Sequence, residues 1–456
     1  MPFACIFVPD FPLEALLRAE PELRSQAVAV LEGKAPLQTI SAVNDRARDA
    51  GVAPGMTKVQ VEACPSFVLR ARSAWQEAVA HAALLDCAHS FSPHIEDACS
   101  DSVLLDLAGL EALFGPLTKI ARALARRAWD FGLKANVAVA SNPDTAALAA
   151  HGFSGVIVVP PGKEAEQLGK LPLGVLLMSG SDLQAHSQTT PSQVLEILER
   201  WGIRDLRALA ALPDLALSER LGQEGVRLQQ LARGRTSRSL VPVEPPLVFE
   251  EAIELEYPLV LLEPLAFLLR RLLEQLCARL GARALATQDL RLQLELENGY
   301  SPPAENNGAT GLPSAQPGEI RRCFQRNLRL PVPLLDAQVF LKLLQLDLLT
   351  HPPGAPIVKI HLSALPVRPR AAQGGLFLPP SPEPEKLELT LARITGMVGE
   401  HKVGSLQLLD THRPEGFLMQ HFAPAPQPQR QKQKIAGGLK PDRNDQSQKN
   451  AGSQPS

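Results

Sequence analysis

The chain has 456 residues, a length for about three domains, which excludes a miniature scaffold dependent on disulfides or metal for its core. With 46 Lys and Arg against 48 Asp and Glu the net charge is −2, so no overall basic field marks a nucleic-acid binder, and any such contact must be local. Aromatic residues at 4% beside 41 prolines argue for many loops and against a single-strand binder built on base stacking. Cys5, Cys64, Cys87, Cys99, Cys277 and Cys323 show no C-x-x-C pair and no histidine at zinc spacing, and read as small core hydrophobes in a reducing compartment. The first ten residues lack a signal-peptide pattern. The apolar run from Leu259 to Leu273 is broken by Glu263, Pro264, Arg270 and Arg271, too short and too charged to span a bilayer. The expectation is a cytoplasmic protein with no membrane partner.

Phe3 to Val8 is a short apolar run stopped by Pro9 and reads as a buried strand; Phe11 to Ala19 has helical spacing, and Ala27 to Leu31 reads as a second strand. Helices are predicted over 44–50, closed by Gly51, and over 58–63, around the turn Val52-Ala53-Pro54-Gly55. A helix over 75–90 leads to a strand over Asp101 to Leu107. A long helix over 117–131 precedes a strand over 135–140, and Asn142-Pro143 is an N-cap with proline at the first helical position of a helix that Gly152 closes. The next block is helical. Thr190 to Gln193 forms a capping box for a helix ending at Gly202, and short helices follow around Gly222 and Gly225, whose turns could offer backbone N–H groups to phosphates or simply pack.

Arg233-Gly-Arg235-Thr-Ser-Arg238 and the prolines to 246 make a basic linker. A second α+β unit follows: strand 249–257, helix 265–280, an alternating strand 290–296, a Pro, Asn and Gly loop over 300–318, strand 323–330, helix 337–348, strand 357–364, helix 387–397 and strand 404–408. After Pro424 the chain is Gln, Pro, Lys and Ser, a composition that cannot offset ordering entropy, so a disordered tail is expected.

Carboxylates at strand ends suggest metal-assisted phosphoryl transfer, which needs two or three of them convergent on ions about 3.5–4 Å apart. The candidates are Asp10, Asp101 and Asp106. In a regular strand Asp101 and Asp106 point to opposite faces, and Asp10 lies past the strand end, so Asp101 alone is well placed. No P-loop, G-x-S-x-G or H-E-x-x-H occurs, which disfavours nucleotide hydrolysis and the common hydrolases.

The stretch from Ser41 through Ala47-Arg48, Gly51-Val52 and Gly55-Met56, followed by Asp101-Ser-Val-Leu-Leu-Asp106 and Ser141-Asn-Pro, resembles the Y-family translesion DNA polymerases over about residues 1–420. The resemblance implies an α/β and α+β multidomain right hand: a palm at 1–10 and 76–165, fingers at 11–75, a helical thumb at 166–233, a linker at 234–247, a little finger at 248–422 and a tail at 423–456. The departures from the family are at the chemistry. Pro9 stands where the family has its first metal-binding Asp, and Asp101-Ser102 replaces an Asp-Glu pair. Asp45 stands for the triphosphate-contacting Tyr while Arg48 is kept as a nucleotide-contact remnant, and Asp144 and Leu148 replace lysines after Ser141.

That pattern resembles the catalytically inactive Y-family homologues of bacterial mutagenesis cassettes. Pro356-Ile357 and Asp410-Thr-His412-Arg413-Pro414-Glu415 are similar to little-finger segments of that group, and Gln373-Gly-Gly-Leu376-Phe377 resembles the Q-x-x-L-F peptide that docks on the bacterial sliding clamp. The resemblance implies a scaffold without catalysis or cofactor, located with the nucleoid. Its partners would be damaged or primer-template DNA, the sliding clamp (DNA polymerase III β subunit), an error-prone DnaE2-type polymerase and a RecA-like cassette protein. Gly202, Gly222, Gly225, Arg233, Arg235 and Arg238 are the DNA-binding candidates. Two other readings remain: a weak translesion polymerase using Mg²⁺ on Asp101 with Asp10 or Asp106, and a protein-interaction hub that does not touch DNA.

Overall fold

The computed structural model describes residues 1–34, 36–62, 67–178, 191–297, 323–369, 390–391, 393–395, 398, 402–408 and 416–420. The chain divides into a unit of residues 1–400 and a unit of residues 401–456.

The first unit opens with β1 (Phe3–Phe7), apolar along its whole length because both of its faces are covered. Ala4 and Ile6 join one core with Ala83, Leu84 and Leu124, while Cys5 and Phe7 join another with Leu104, Ala146 and Leu148. The helix Phe11–Ala19 forms as its spacing predicts, and Asp10 leads into it in the left-handed conformation. β2 (Ala27–Glu32), β3 (Thr39–Val43) and β4 (Phe67–Ala71) build a separate three-stranded sheet in the order β3-β2-β4. Neither β3 nor β4 is expected from the sequence, and β1 and β2 fall in different sheets. The main sheet is completed by β5 (Ile95–Cys99), β6 (Ser102–Asp106), β7 (Asn136–Ala140) and β8 (Val156–Val158), in the order β5-β6-β1-β7-β8. Helices Ala74–His89 and Leu117–Asp130 pack their apolar stripes on one face of this sheet and Pro143–Gly152 on the other.

Helices Pro191–Arg200, Leu206–Ala210 and Asp214–Ala232 share the second of those cores. Asp214–Ala232 is interrupted at Gly222, whose φ of 65° and ψ of −159° lie outside the helical region. The Thr190 end of the expected capping box lies outside the described residues.

The C-terminal part of the first unit is a duplicated split βαβ. β9 (Phe249–Leu259), helix Leu262–Ala282 and β10 (Ala286–Leu296) are followed by β11 (Cys323–Leu334), helix Ala337–Thr350 and β12 (Ile357–Val367), forming the antiparallel sheet β11-β10-β12-β9. Leu290, Leu292, Leu294, Ile360 and Leu362 face Leu269, Leu273, Phe340 and Leu344 of the helices, which leaves the polar residues of the alternation on the other face. The second unit contributes an antiparallel pair, β13 (Ser405–Leu408) and β14 (Phe417–Gln420). The expected loop 300–318 and tail lie outside the described residues, as does most of the helix expected over 387–397.

Candidate functional site

The end of β1 and the start of β6 lie side by side: Phe7 is in register with Ser102, and the Val8 N–H donates to the Asp101 carbonyl at 2.8 Å. Pro9, Asp101 and Ser102 therefore meet at one end of the main sheet, as the sequence places them. Asp101 is not in β6, as expected, but in the turn before it, where burial raises its carboxyl above the usual range and the bond to Ser102 opposes the rise. Asp106 pairs with Phe3 at the far end of the same strand. Five residues of strand put it about 17 Å from Asp101, so distance as well as face excludes a shared ion.

Asp10 leaves the strand end in a left-handed turn (φ 49°, ψ 45°), and its carboxylate accepts from Arg48 at 3.2 Å. Arg48 also donates to Asp45 at 2.9 Å, and Lys134 reaches Asp45 at 3.3 Å. The Arg48 guanidinium, which the sequence resemblance reads as a nucleotide-contact remnant, thus lies between two carboxylates. Among the described residues no three His, Cys, Asp or Glu converge as a metal site. One half-buried carboxyl beside a hydroxyl and a proline supplies too few oxygens for a pair of magnesium ions. The residues present do not fit the pair of metal ions that the sequence resemblance implies.

The linker arginines divide. Arg233 donates to the carbonyls of Ala210 at 2.9 Å and Leu212 at 3.2 Å and pairs with Asp214 at 2.8 Å, so it closes the helical segment on itself. Arg238 pairs with Asp144 at 2.6 Å and Glu96 at 2.8 Å. Glu96 also accepts from the Val241 N–H at 2.7 Å, and the Val243 N–H donates to Ile95 at 2.8 Å, which lays the linker along the free edge of β5. These two side chains are engaged within the protein rather than presented to phosphate. Arg235 is exposed. Gly202 and Gly222 are exposed with positive φ, whereas Gly225 is a buried helical position whose added Cβ would stand 2.5 Å from that of Leu221. Gly225 is there for close packing, not for a free turn.

A group that the sequence does not single out lies on the outer face of the C-terminal sheet. Arg291 donates to Asn327 at 3.3 Å, Gln325 to Gln293 at 3.2 Å, and Arg329 pairs with Asp289 at 2.9 Å across β10 and β11. Amide and guanidinium groups in such a ladder can meet phosphate oxygens and base edges. The alternation of β10 shows which residues face outward. Their partners depend on a strand register across residues 298–322 that local sequence does not reveal.

Among the described residues, Cys5, Cys87, Cys99, Cys277 and Cys323 form no disulfide. Burial is the leading cause raising the pKa of Cys5, Cys87, Cys99 and Cys277, which suits packing and not nucleophilic chemistry. No described helix is long and apolar enough to cross a membrane. Gln373, Leu376 and Phe377 lie outside the described residues.

Residues 6–151, which hold the strand ends and Arg48, match the model of the impB/mucB/samB family. The chain is similar to proteins of two kinds. It is 25% identical over 368 residues to the protein ImuB of Caulobacter vibrioides, covering 80% of this chain and 73% of that one. It is also 28% identical over 232 residues to DNA polymerase IV of Dehalococcoides mccartyi, covering 50% of this chain and 55% of the relative. Among solved structures, an insertion ternary complex of Dbh DNA polymerase aligns with a TM-score of 0.44 at 16% identity, over 81% of this chain and 100% of that one. DinB from Sulfolobus solfataricus aligns with a TM-score of 0.43 at 15% identity, over 81% and 100%.

Proposed function

We propose that this protein is a non-catalytic Y-family scaffold for DNA-damage-induced mutagenesis and translesion synthesis, which binds DNA and the sliding clamp and recruits an error-prone polymerase. The observation that carries this reading is the strand-end site: Pro9 and Ser102 flank Asp101 where a two-metal centre would need carboxylates, and Asp10 is paired to Arg48. The likeness to ImuB over most of the chain supports the same reading. The palm, fingers, thumb and little-finger divisions drawn from the sequence belong to this proposal, as does a location in the cytoplasm near the nucleoid.

DNA would be held by the outer face of β10 and β11 together with Arg235 and the exposed turns at Gly202 and Gly222. Gln373, Leu376 and Phe377 would enter a groove of the DNA polymerase III β subunit as a short peptide with two apolar anchors. A DnaE2-type polymerase and a RecA-like protein of the ImuA kind are the proposed protein partners, neither needing a cofactor on this chain. Clamp binding is tested by calorimetric titration of the full chain with purified β subunit. Replacing Leu376 and Phe377 together by Ala is expected to weaken binding by a factor on the order of ten or more; unchanged affinity would remove the peptide from the account.

A further inference from the structure

A cluster of five charged side chains lies where the C-terminal sheet domain meets the main-sheet domain. Arg18, from the helix after β1, makes a two-pronged pair with Glu251 of β9 at 2.5 and 2.7 Å and donates its Nε to the Phe131 carbonyl at 2.9 Å. Arg279, from the helix after β9, reaches Glu251 at 3.1 Å and Asp86 of helix Ala74–His89 at 2.8 Å; Arg283 adds a bond to Asp86 at 3.2 Å. Exposure is 4% for Arg18, 0% for Glu251, 1% for Arg279, 4% for Asp86 and 7% for Arg283. Two of these groups come from the main-sheet domain and three from the C-terminal domain, so separating the domains would leave charges of both signs without partners.

The surrounding contacts have the same sense. Arg271 donates to the Ala19 carbonyl at 2.5 Å and to Glu22 at 2.8 Å, and Gln275 to the Arg18 carbonyl at 2.8 Å. On the outer face of the C-terminal sheet, Arg70 pairs with Glu256, Ser73 donates to Glu254 at 3.3 Å, and the Trp75 ring lies 4.8 Å from that of His361. Residues 70–75 thus cover the half of that face formed by β9 and β12, where Ala252 is only 4% exposed. The half formed by β10 and β11 stays open, with Arg329 84% exposed.

We propose that the Arg18–Glu251–Arg279–Asp86–Arg283 cluster is a lock that holds the C-terminal sheet domain in one orientation on the main-sheet domain, an autoinhibitory contact that keeps half of the sheet's polar face covered. Domains joined by a linker ordinarily move relative to one another unless a large or strongly bonded interface prevents it. Here a burial-resistant ion cluster does so, and ambient salt screens it far less than surface pairs. The consequence for nucleic acid rests on the DNA-binding reading above: a duplex spanning the whole face must open the lock.

Hydrogen exchange on the full chain tests the lock without DNA. In Arg279→Met, amides of β9 and helix Ala74–His89 are expected to exchange at least tenfold faster while those of β10 and β11 keep their wild-type rates. Arg271→Ala, which leaves the five groups in place, is the control and is expected to change β9 and helix Ala74–His89 by less than threefold. In Arg279→Met, uniform acceleration through β10 and β11, or a change confined to the substituted helix, would overturn the lock. Fluorescence titration with a duplex oligonucleotide then reads the autoinhibition. Binding by Arg279→Met that is at least threefold tighter than wild type supports it, and unchanged affinity overturns it. Failure of wild type and variants alike to bind would count against the DNA-binding reading, and the exchange data would still decide the lock.

Discussion

His151 stacks on Phe7 with ring centroids 3.9 Å apart, and its buried Nδ1 has no hydrogen-bond partner. Burial lowers its pKa from 6.5 to about 4. The unfolded chain takes up a proton near pH 6.5 and the folded one only near pH 4, so His151 favours folding above that window and its contribution is lost as pH falls through it. Urea unfolding is expected to show about 2 kcal/mol less stability at pH 5 than at pH 7 from this residue. His151→Leu should remove that part of the pH dependence, and an identical slope in the variant would refute the assignment. The same scale decides the chemistry of the strand ends. Pro9 and Ser102 are visible in the sequence as departures from the family pattern, and β1 pairing with β6 brings them together. The pairing of Arg48 with Asp10 is not legible, because it depends on a left-handed turn at a residue other than glycine, whereas Asp45 and Arg48 are an i,i+3 pair of one helix.

The elements that the sequence reveals are those with one dominant cause. Helix Phe11–Ala19 follows its apolar spacing, and Asn142 caps Pro143–Gly152 by accepting from Thr145 at 2.8 Å, as Asn-Pro predicts. The alternation of β10 marks its two faces. β3 and β4 are strands of five residues, β4 half-buried, and β4 pairs in parallel with β2 although β3 intervenes in the chain, so local pattern alone does not distinguish them from loop. Glycines are the other limit: Gly152 does not terminate its helix through a left-handed turn but makes room for Leu171, whose methyls would stand 2.5 Å from an added Cβ.

Two glycine substitutions separate strain from crowding. Gly222 has open space around it, so Gly222→Ala should cost only the backbone penalty of its φ of 65° and ψ of −159°, a region essentially confined to glycine, about 2 kcal/mol. Gly234 combines a φ of 65° with a Cβ position 2.5 Å from that of Glu164, on the strand of linker that Asn142 holds through the Gly234 carbonyl at 3.0 Å. Gly234→Ala should cost roughly 3 kcal/mol. Equal losses in denaturant unfolding would show that the close approach at Glu164 is not maintained in solution.

At the scale of the whole molecule, a net charge of −2 requires DNA affinity to come from a restricted surface. Arg291 and Arg329 on the open half of the C-terminal sheet are the proposed centre of it. Replacing both by Ala should weaken primer-template binding several-fold and lower the slope of log affinity against log salt by about 1 to 2. An unchanged slope would place the contact elsewhere. Arg233→Ala, by contrast, should act on stability, since that side chain holds the carbonyls of Ala210 and Leu212.

The claim on which the account rests is that the polymerase-like strand-end site does not transfer nucleotides. Primer extension by the purified full chain, with all four nucleotides and either Mg²⁺ or Mn²⁺, measures this directly when Asp101→Ala is run beside it. The account predicts no extension above that of the variant, from protein shown to be folded and bound to the primer-template. Extension by the wild type that Asp101→Ala abolishes would contradict it and make this chain a polymerase with rearranged metal ligands.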